Sequence, residues 1–208
     1  MSNNPRGSVS FNELSLFDED IKCGVRGAIA GVDEAGRGAL AGPVVAAALI
    51  CDFHEDLFDV KDSKLLKENR REELYELITG RCKCFNVGIV EPEVIDRVNI
   101  LNATLKAMKE AVEGLTVSPQ FVIVDGRDTP DIDIRAQAIP GGDGKSFVIA
   151  AASIVAKVTR DRIMREFGLI YPEYKFLSNK GYGTKEHRTV LKEKGSTKIH
   201  RKSFKCSI

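Results

Sequence analysis

The sequence predicts an α/β protein in which helices flank a mixed β-sheet. Two apolar, β-rich runs come first and are separated only by a glycine-dense turn, which favours two neighbouring strands. Later apolar runs alternate with segments of helical periodicity, as in proteins whose strands run parallel. The predicted order β-β-α-β-α-β-β-α, followed by a helical appendage, therefore indicates a mixed sheet with helices on its faces.

The individual elements follow from periodicity and from boundary residues. Apolar or alternating runs predict strands at 28–32, 43–51, 82–90, 121–125 and 134–139. Apolar residues at helical spacing predict helices at 62–78, 92–112, 145–167 and 185–194. We expect Gly80 to end the first of these helices and Pro92 to begin the second. The predicted parts are an N-terminal extension (1–22), a core (23–168) and a helical, basic C-terminal segment (169–208).

The composition is typical of a water-soluble protein with an aliphatic core. Among the 208 residues, 43% are hydrophobic and 29% are charged, and tryptophan is absent. No apolar run is long enough to span a membrane, and the N-terminus lacks the apolar centre of a signal peptide. Five cysteines without C-x-x-C spacing and three scattered histidines do not form a zinc motif. These features predict a cytoplasmic protein with reduced cysteines.

Charge is distributed unevenly, although the net charge is only +1. From Lys180 onward there are nine Lys or Arg residues and two acids, which gives this segment a charge of +7. The rest of the chain is acidic. This pattern fits a carboxylate site beside a clamp for a phosphate backbone, and we expect the basic segment to supply backbone affinity. By itself, a basic segment is equally consistent with a solvated tail.

Carboxylates occur at the ends of three predicted buried elements. Asp33 and Glu34 follow one strand and precede a Gly-Arg-Gly turn, Asp125 ends another strand, and Asp143 precedes the long helix. Adjacent strand residues point to opposite faces, so Asp33 and Glu34 can share a site only if the chain bends or Glu34 reaches from the strand end. Each acid also has an ordinary interpretation, namely a solvated strand end for the pair and a helix N-cap for Asp143.

Convergence of these acids would create a site for hard divalent cations, which prefer oxygen ligands. Two such ions about 4 Å apart can activate water and stabilise the leaving oxygen of an in-line displacement. The acids therefore favour metal-dependent phosphodiester hydrolysis as a hypothesis for the function.

A set of motifs in this order resembles bacterial ribonuclease HII, the type 2 ribonuclease H family. The resemblance extends from about Ala28 to Phe204, and the ordered set is far more specific than any single motif. It implies the ribonuclease H-like fold, a five-stranded mixed sheet flanked by helices, with a C-terminal helical appendage that completes the substrate groove. The motifs are Gly31–Gly38, Asp62–Leu65, Asn99–Thr104, Ile123–Gly126, Asp143, Ala151–Asp161, Lys180–Thr184 and His200–Phe204.

The resemblance also implies an activity and a cofactor. The expected activity is hydrolysis of the RNA strand of RNA–DNA hybrids, and cleavage at ribonucleotides embedded in duplex DNA, leaving 3′-hydroxyl and 5′-phosphate ends. The expected cofactor is a pair of Mg²⁺ or Mn²⁺ ions, with Asp33 bridging both. The matching metal ligands are Asp33, Glu34, Asp125 and Asp143.

Substrate recognition is implied for a second group of residues. The backbone of Gly36, Arg37 and Gly38 would sense the ribose 2′-hydroxyl, and Tyr182 would stack on the sugar after the junction. The other implied contacts to the nucleic-acid backbone are Lys64, Ser153 and Lys157. Without the resemblance, Lys64 is an ordinary surface lysine.

The predicted helix at 145–167 has an apolar face and an opposite polar face. Without the resemblance, Lys157 and Arg160 would be solvated residues of that polar face. Two positions depart from the family pattern. Ala39 replaces the proline that usually follows Gly-Arg-Gly, which would loosen the loop, and Asn179 replaces a histidine that often precedes Lys-Gly-Tyr.

Three alternative functions fit the residues less well. A nucleotide-binding P-loop ending at 144–146 needs a glycine at position 139, which is Ile. A non-catalytic nucleic-acid-binding module would use the basic segment but not the acids, which repel phosphates in the absence of metal. An integrase or junction resolvase of the same fold has no need for the Gly-Arg-Gly loop or Tyr182. We further expect a monomer that does not associate with membranes.

Overall fold

The computed structural model describes residues 17–19, 21, 24, 27–52, 57, 60 and 66–204. The strands are β1 (Ile29–Ala35), β2 (Val44–Ile50), β3 (Cys84–Val90), β4 (Phe121–Asp125) and β5 (Ala136–Ile139). The helices are α1 (Glu68–Arg81), α2 (Pro92–Val98), α3 (Ile100–Glu113), α4 (Phe147–Ile170), α5 (Phe176–Asn179) and α6 (Lys185–Lys194). Short 3₁₀ turns lie at Gly142–Gly144 and Pro172–Tyr174.

The strands form the predicted five-stranded mixed sheet, in the order β3-β2-β1-β4-β5. The first three strands form an antiparallel meander, whereas β4 and β5 are added in parallel on the other side of β1. Parallel addition requires a crossover connection, which the helices α2 and α3 supply between β3 and β4. The central strand β1 therefore has an antiparallel neighbour on one side and a parallel one on the other.

Helices cover both faces of the sheet, as predicted. One core packs α1 and α4 against the sheet, and the other packs α2 and α3 against the opposite face. The long helix α4 crosses β1 at very close range. A Cβ at Gly31 would lie 2.4 Å from the backbone carbonyl carbon of Val148, so only glycine allows this approach.

Several predicted boundaries are wrong. The first helix begins at Glu68 instead of residue 62 and ends at Arg81, so Gly80 lies inside its last turn. The predicted helix at 92–112 is two helices, since Asn99 between them has a φ of 70° and its side chain caps α3 by accepting from the Asn102 N–H. Strand β1 continues to Ala35, three residues beyond its predicted end, and thus carries both Asp33 and Glu34.

The C-terminal segment folds back onto the loop that follows β1. A small apolar cluster joins Ala41 of that loop to Met164 of α4 and to Phe176 and Ile199 of the segment. The C-terminal segment is thus an integral part of the globule, and two of its basic residues, Lys180 and Arg201, are buried.

In the described part of the chain, no helix has the length and apolar character needed to cross a membrane.

Candidate active site

Two carboxylates lie side by side at the ends of the parallel strands β1 and β4. Val32 of β1 is in register with Val124 of β4, so Asp33 and Asp125 occupy equivalent positions one residue later. The carboxyl ends of parallel strands are the usual place for a site in an α/β sheet. Asp125 accepts a hydrogen bond from the Gly142 N–H at 2.6 Å, which fixes one of its oxygens.

Glu34 reaches the same place from the strand end, one of the two routes that the sequence left open. Asp33 and Glu34 both line one cleft of about 450 Å³. Arg37 donates to Glu34 Oε1 at 3.2 Å, whereas the buried Oε2 has no hydrogen-bond partner among the described residues. Asp33 is only 5% exposed, so the interpretation of this pair as a solvated strand end is wrong.

The two adjacent acids are held in an environment that disfavours their charges. Burial is the main cause of a pKa of Asp33 well above its usual value, and Glu34 and Asp125 raise it further. Hydrogen bonds from Ser153 and from the Glu34 N–H, the latter at 2.7 Å, oppose that shift. Burial also raises the pKa of Glu34, against the effect of Arg37. The acids therefore need a positive partner in order to be fully ionised together.

The cleft brings together nearly all of the predicted site residues. Its lining combines three carboxylates with the Gly-Arg-Gly loop, residues of α4 and Tyr182. Lys64 lies outside the described residues, so its contact with the nucleic-acid backbone stays a prediction. The lining residues are Asp33, Glu34, Ala35, Gly36, Arg37, Gly38, Arg71, Asp125, Ser153, Ile154, Lys157 and Tyr182.

Asp143 lies beside the cleft and is not part of its lining. It is the middle residue of the 3₁₀ turn Gly142–Gly144, whose first residue donates to Asp125. Its interpretation as a helix N-cap is wrong, because Ser146 caps α4 by accepting from the Ile149 N–H. Within the described chain, no three acids, histidines or cysteines are close enough to form a metal site by themselves. Any bound ion would therefore need further ligands from water or substrate.

The Gly-Arg-Gly loop rests on a buried guanidinium from α4. Arg160 is fully buried and donates to the carbonyls of Ala41, Pro43 and Lys180 at 2.9–3.0 Å. Gly36 has a φ of +94°, and a Cβ there would lie 2.0 Å from Arg160 Nε. The prediction that Arg160 belongs to a solvated face is therefore wrong. Its hydrogen bonds go to carbonyls distant in sequence, which a helical wheel cannot show.

A second buried arginine holds the same loop from the C-terminal segment. Arg201 donates to the carbonyls of Arg37, Gly42 and Pro43 at 2.9–3.0 Å. Burial, together with the nearby Arg160, lowers the pKa of Arg201 to about 9. Ala39 contributes a bond that proline could not make, since its N–H donates to the Gly36 carbonyl at 3.2 Å. This hydrogen bond within the loop opposes the loosening that was expected from the absence of proline at position 39.

Tyr182 lies on a turn that is bonded to this loop. The Leu40 N–H donates to the Gly181 carbonyl at 2.8 Å, and the Tyr182 ring lies 5.3 Å from Arg160 Cζ. Asn179, the second departure from the family pattern, is buried and stabilises the turn. Its side chain accepts from the Gly181 N–H at 2.8 Å and donates to the Tyr174 carbonyl at 2.7 Å.

The comparisons with known proteins decide the family. The sequence model of the family described as Ribonuclease HII matches residues 30–207. The chain belongs to the ribonuclease HII family. It is 53% identical over 177 residues to the ribonuclease HII of Syntrophus aciditrophicus, covering 85% of this chain and 84% of the relative. It is 48% identical over 200 residues to that of Caldicellulosiruptor saccharolyticus, covering 96% and 97% of the two chains.

Solved structures agree with this assignment. The crystal structure of ribonuclease H2 from Pyrococcus horikoshii matches with a TM-score of 0.72 and 30% identity, over 85% of this chain and 93% of that one. The ribonuclease HII of Archaeoglobus fulgidus, solved as a complex with PCNA, matches with a TM-score of 0.73 and 31% identity, over 87% and 96%. The protein is thus a hydrolase of phosphodiester bonds, an endonuclease acting on the RNA of RNA–DNA hybrids, with the predicted ribonuclease H-like fold.

Two residues that line or support the site, Arg71 and Asp161, were not among its predicted residues. Arg71 of α1 lines the cleft, although nothing in its helical pattern distinguishes it from the other basic residues of that helix. Lys157 is held at 2.5 Å by the buried Asp161, one turn further along α4. The i, i+4 spacing of Lys157 and Asp161 was the available signal. Burial lowers the pKa of Lys157, and the pairing with Asp161 opposes that shift.

Proposed function

We propose that this enzyme cleaves next to ribonucleotides, in RNA–DNA hybrids and also where they are embedded in duplex DNA, by a two-metal-ion mechanism. The observation that supports this proposal is the composition of one cleft. It combines a group of carboxylates that repel one another with a glycine loop and a tyrosine. The first group suits phosphodiester chemistry and the second suits contact with a sugar, where RNA and DNA differ.

Asp33, Glu34, Asp125 and Asp143 would hold the two divalent ions. The donor set fits such ions, since all four side chains offer hard oxygen ligands and a buried oxygen of Glu34 lacks a partner among the described residues. The raised pKa of Asp33 points the same way, because a nearby cation would favour its charged form. When bound, the ions supply a water of lowered pKa and neutralise charge on the scissile phosphate.

Either Mg²⁺ or Mn²⁺ is compatible with this set of ligands. Mg²⁺ in particular retains several waters and uses few carboxylates, as an incomplete protein ligand set requires. Divalent-metal dependence is general in ribonucleases H, and either ion would satisfy it.

The protein itself positions the acids and the substrate. Ser153 orients Asp33 through a hydrogen bond, and Arg37 orients Glu34. The half-buried Lys157 lines the same cleft and would contact a phosphate of the backbone. Attack by water in line with the bond to the 3′ oxygen would leave 3′-hydroxyl and 5′-phosphate ends.

Recognition of ribose is assigned to the loop at 36–38. Gly36 packs closely against Arg160. A Cβ at Gly38 would instead meet no atom within 4 Å, so the backbone there can approach a sugar closely. A large side chain at Gly38 would occupy that space and impair cleavage of every ribonucleotide-containing substrate. Tyr182 offers a flat ring to the sugar that follows, where an additional hydroxyl would clash. We further propose a monomeric, cytoplasmic enzyme.

The test is an assay of duplexes with zero, one or many ribonucleotides, each with Mg²⁺, Mn²⁺ or EDTA. Cleavage is expected for the second and third substrates only, and only with metal. Asp33→Asn should abolish it while the melting temperature holds or rises, because the change removes a buried charge from a repelling cluster. Asp131→Asn, at a highly exposed carboxylate, is the matched control and should remain active. Near-normal Mg²⁺-dependent cleavage by Asp33→Asn would refute the assignment.

A further inference from the structure

A pair of buried histidines lies behind Tyr182 and takes no part in the proposed chemistry. The Nε2 atoms of His187 and His200 are 3.0 Å apart, and neither side chain is more than 4% exposed. Aromatic rings enclose the pair, with ring centroids 5.1 Å apart for Tyr174 and His200 and 5.3 Å apart for Phe176 and His187. Such surroundings favour neutral imidazoles.

The hydrogen-bond partners determine the tautomer of each ring. The Thr197 N–H lies 2.9 Å from His200 Nδ1, which must therefore accept, so the proton of His200 is on Nε2. His187 Nδ1 lies 2.9 Å from the carbonyl oxygen of Tyr182, which can only accept, so this nitrogen donates. His187 Nε2 is then free to accept from His200 Nε2. All three bonds are satisfied while both rings stay neutral.

These bonds form a directed chain that ends on the backbone of Tyr182. The Tyr182 carbonyl also accepts from the Thr184 N–H at 2.8 Å, so His187 supplies its second bond. The chain begins at Thr197, which lies beyond α6, and therefore ties the C-terminal segment to the tyrosine turn. Neither histidine is among the residues that line the active-site cleft.

We propose that His187 and His200 are positioning residues, which hold the Tyr182 turn at a fixed distance from the substrate and thereby set the preference for an RNA-to-DNA junction. This inference rests on the junction role proposed above for Tyr182. Loss of the bond to the Tyr182 carbonyl leaves the turn tethered at fewer points, so the ring no longer occupies one position against the sugar. The carboxylates are unaffected, because the histidine pair does not contact them.

Two substitutions of the same histidine separate this role from simple packing. In His187→Asn the amide nitrogen can take the place of Nδ1 and keep the bond to Tyr182, whereas in His187→Gln the longer amide falls near Nε2 and loses it. Both remove the aromatic ring. The readout is kcat/KM for a duplex with one embedded ribonucleotide divided by kcat/KM for a uniform hybrid. His187→Gln should lower this ratio about fivefold to tenfold, the effect of one hydrogen bond, and His187→Asn by less than about twofold.

The variant Tyr182→Ala distinguishes a failure of the positioning role of the histidines from a failure of the junction role proposed for Tyr182. If it lowers the ratio and His187→Gln does not, or if both His187 variants lower it equally, the positioning role is refuted and the proposed function stands. If Tyr182→Ala leaves the ratio unchanged, the junction role of Tyr182 fails, and the positioning role fails with it.

A second measurement needs no variant. Nitrogen-15 NMR of the labelled wild-type protein at pH 7 should show a neutral His187 protonated on Nδ1 and a neutral His200 protonated on Nε2. Any other pair of tautomers, or a charged ring, refutes the inference even if the substituted proteins fail to fold.

Discussion

Replacing Gly36 by alanine tests whether the Gly-Arg-Gly loop depends on the buried Arg160. The backbone at Gly36 has a φ of +94°, which costs a residue with a side chain about 1–2 kcal/mol. The new Cβ would also lie 2.0 Å from Arg160 Nε and 2.5 Å from its Cδ, so the guanidinium must move. Loss of one of its three bonds to buried carbonyls adds about 1.5–3 kcal/mol. The expected loss of stability is therefore about 2.5–5 kcal/mol.

Thermal unfolding provides the assay, with Gly38→Ala as the matched control two residues away. In a chain of this size, the expected loss corresponds to a fall in melting temperature of roughly 10 °C. Gly38→Ala should unfold close to the wild type, because its Cβ meets no atom within 4 Å and its φ is not positive. If both variants unfold within about 2 °C of each other, Arg160 does not hold the loop as described.

Two further predictions concern charge. Lys185 and Arg188 occupy exposed positions at the start of α6. The double variant Lys185→Ala, Arg188→Ala should reduce the slope of the logarithm of the duplex-binding constant against the logarithm of salt concentration. The expected reduction is about 0.9 for each phosphate that these cations neutralise in the wild type. Lys106→Ala, on α3, should leave that slope unchanged, and an equal change in both would argue against a basic clamp at α6. His200 has a pKa of about 4, against 6.5 in the unfolded chain, because burial and His187 disfavour its charge. The unfolded state therefore takes up the proton first, and the free energy of unfolding should fall by about 3 kcal/mol between pH 6.5 and 4. Urea unfolding should show a smaller acid loss for His200→Gln, and an identical loss would contradict the pKa shift.

The strands of the sheet were predictable because the apolar run and the boundary residues that define each strand are adjacent in sequence. Residues 121–125 form an unbroken apolar run that ends in an acid and a glycine, and the strand has those bounds in the structure. The break at Asn99 was not predictable from periodicity, because the apolar stripe continues through it. Only the positive φ and the cap to Asn102 reveal two helices.

The carboxylates were predictable for a similar reason, since each follows directly from a recognisable strand or precedes the long helix. The residues that hold the loop were not, because their partners are carbonyls far away in the chain. Arg160 binds Ala41 and Pro43 across almost 120 residues, and no spacing rule connects them. The charge of the C-terminal segment predicted exposed cations, but it did not predict that two of them are buried. Among the described residues from Lys180 onward, six cations are exposed, whereas Lys180 and Arg201 are buried in contacts within the protein.

The burial of Lys180 and Arg201 changes how the basic C-terminal segment can be tested. Deletion of residues 185–208 would remove Arg201 together with both histidines of the buried pair, and therefore the supports of the loop and of Tyr182. A loss of binding in such a deletion would not measure phosphate contacts. Point substitutions at exposed cations are the appropriate experiment.

The bond from Arg201 to the Arg37 carbonyl joins residues 164 positions apart, and it has a consequence for the order of events during synthesis. The last residue that holds one of the carboxylates is Ser153 of α4, which hydrogen-bonds Asp33. The loop at 36–38 gains the bond from Arg201 only some fifty residues later, so the part of a nascent chain that holds the carboxylates is complete before the loop is fully supported. Truncation of the chain before Arg201 would likewise leave the loop without this support while β1 and β4 are still present.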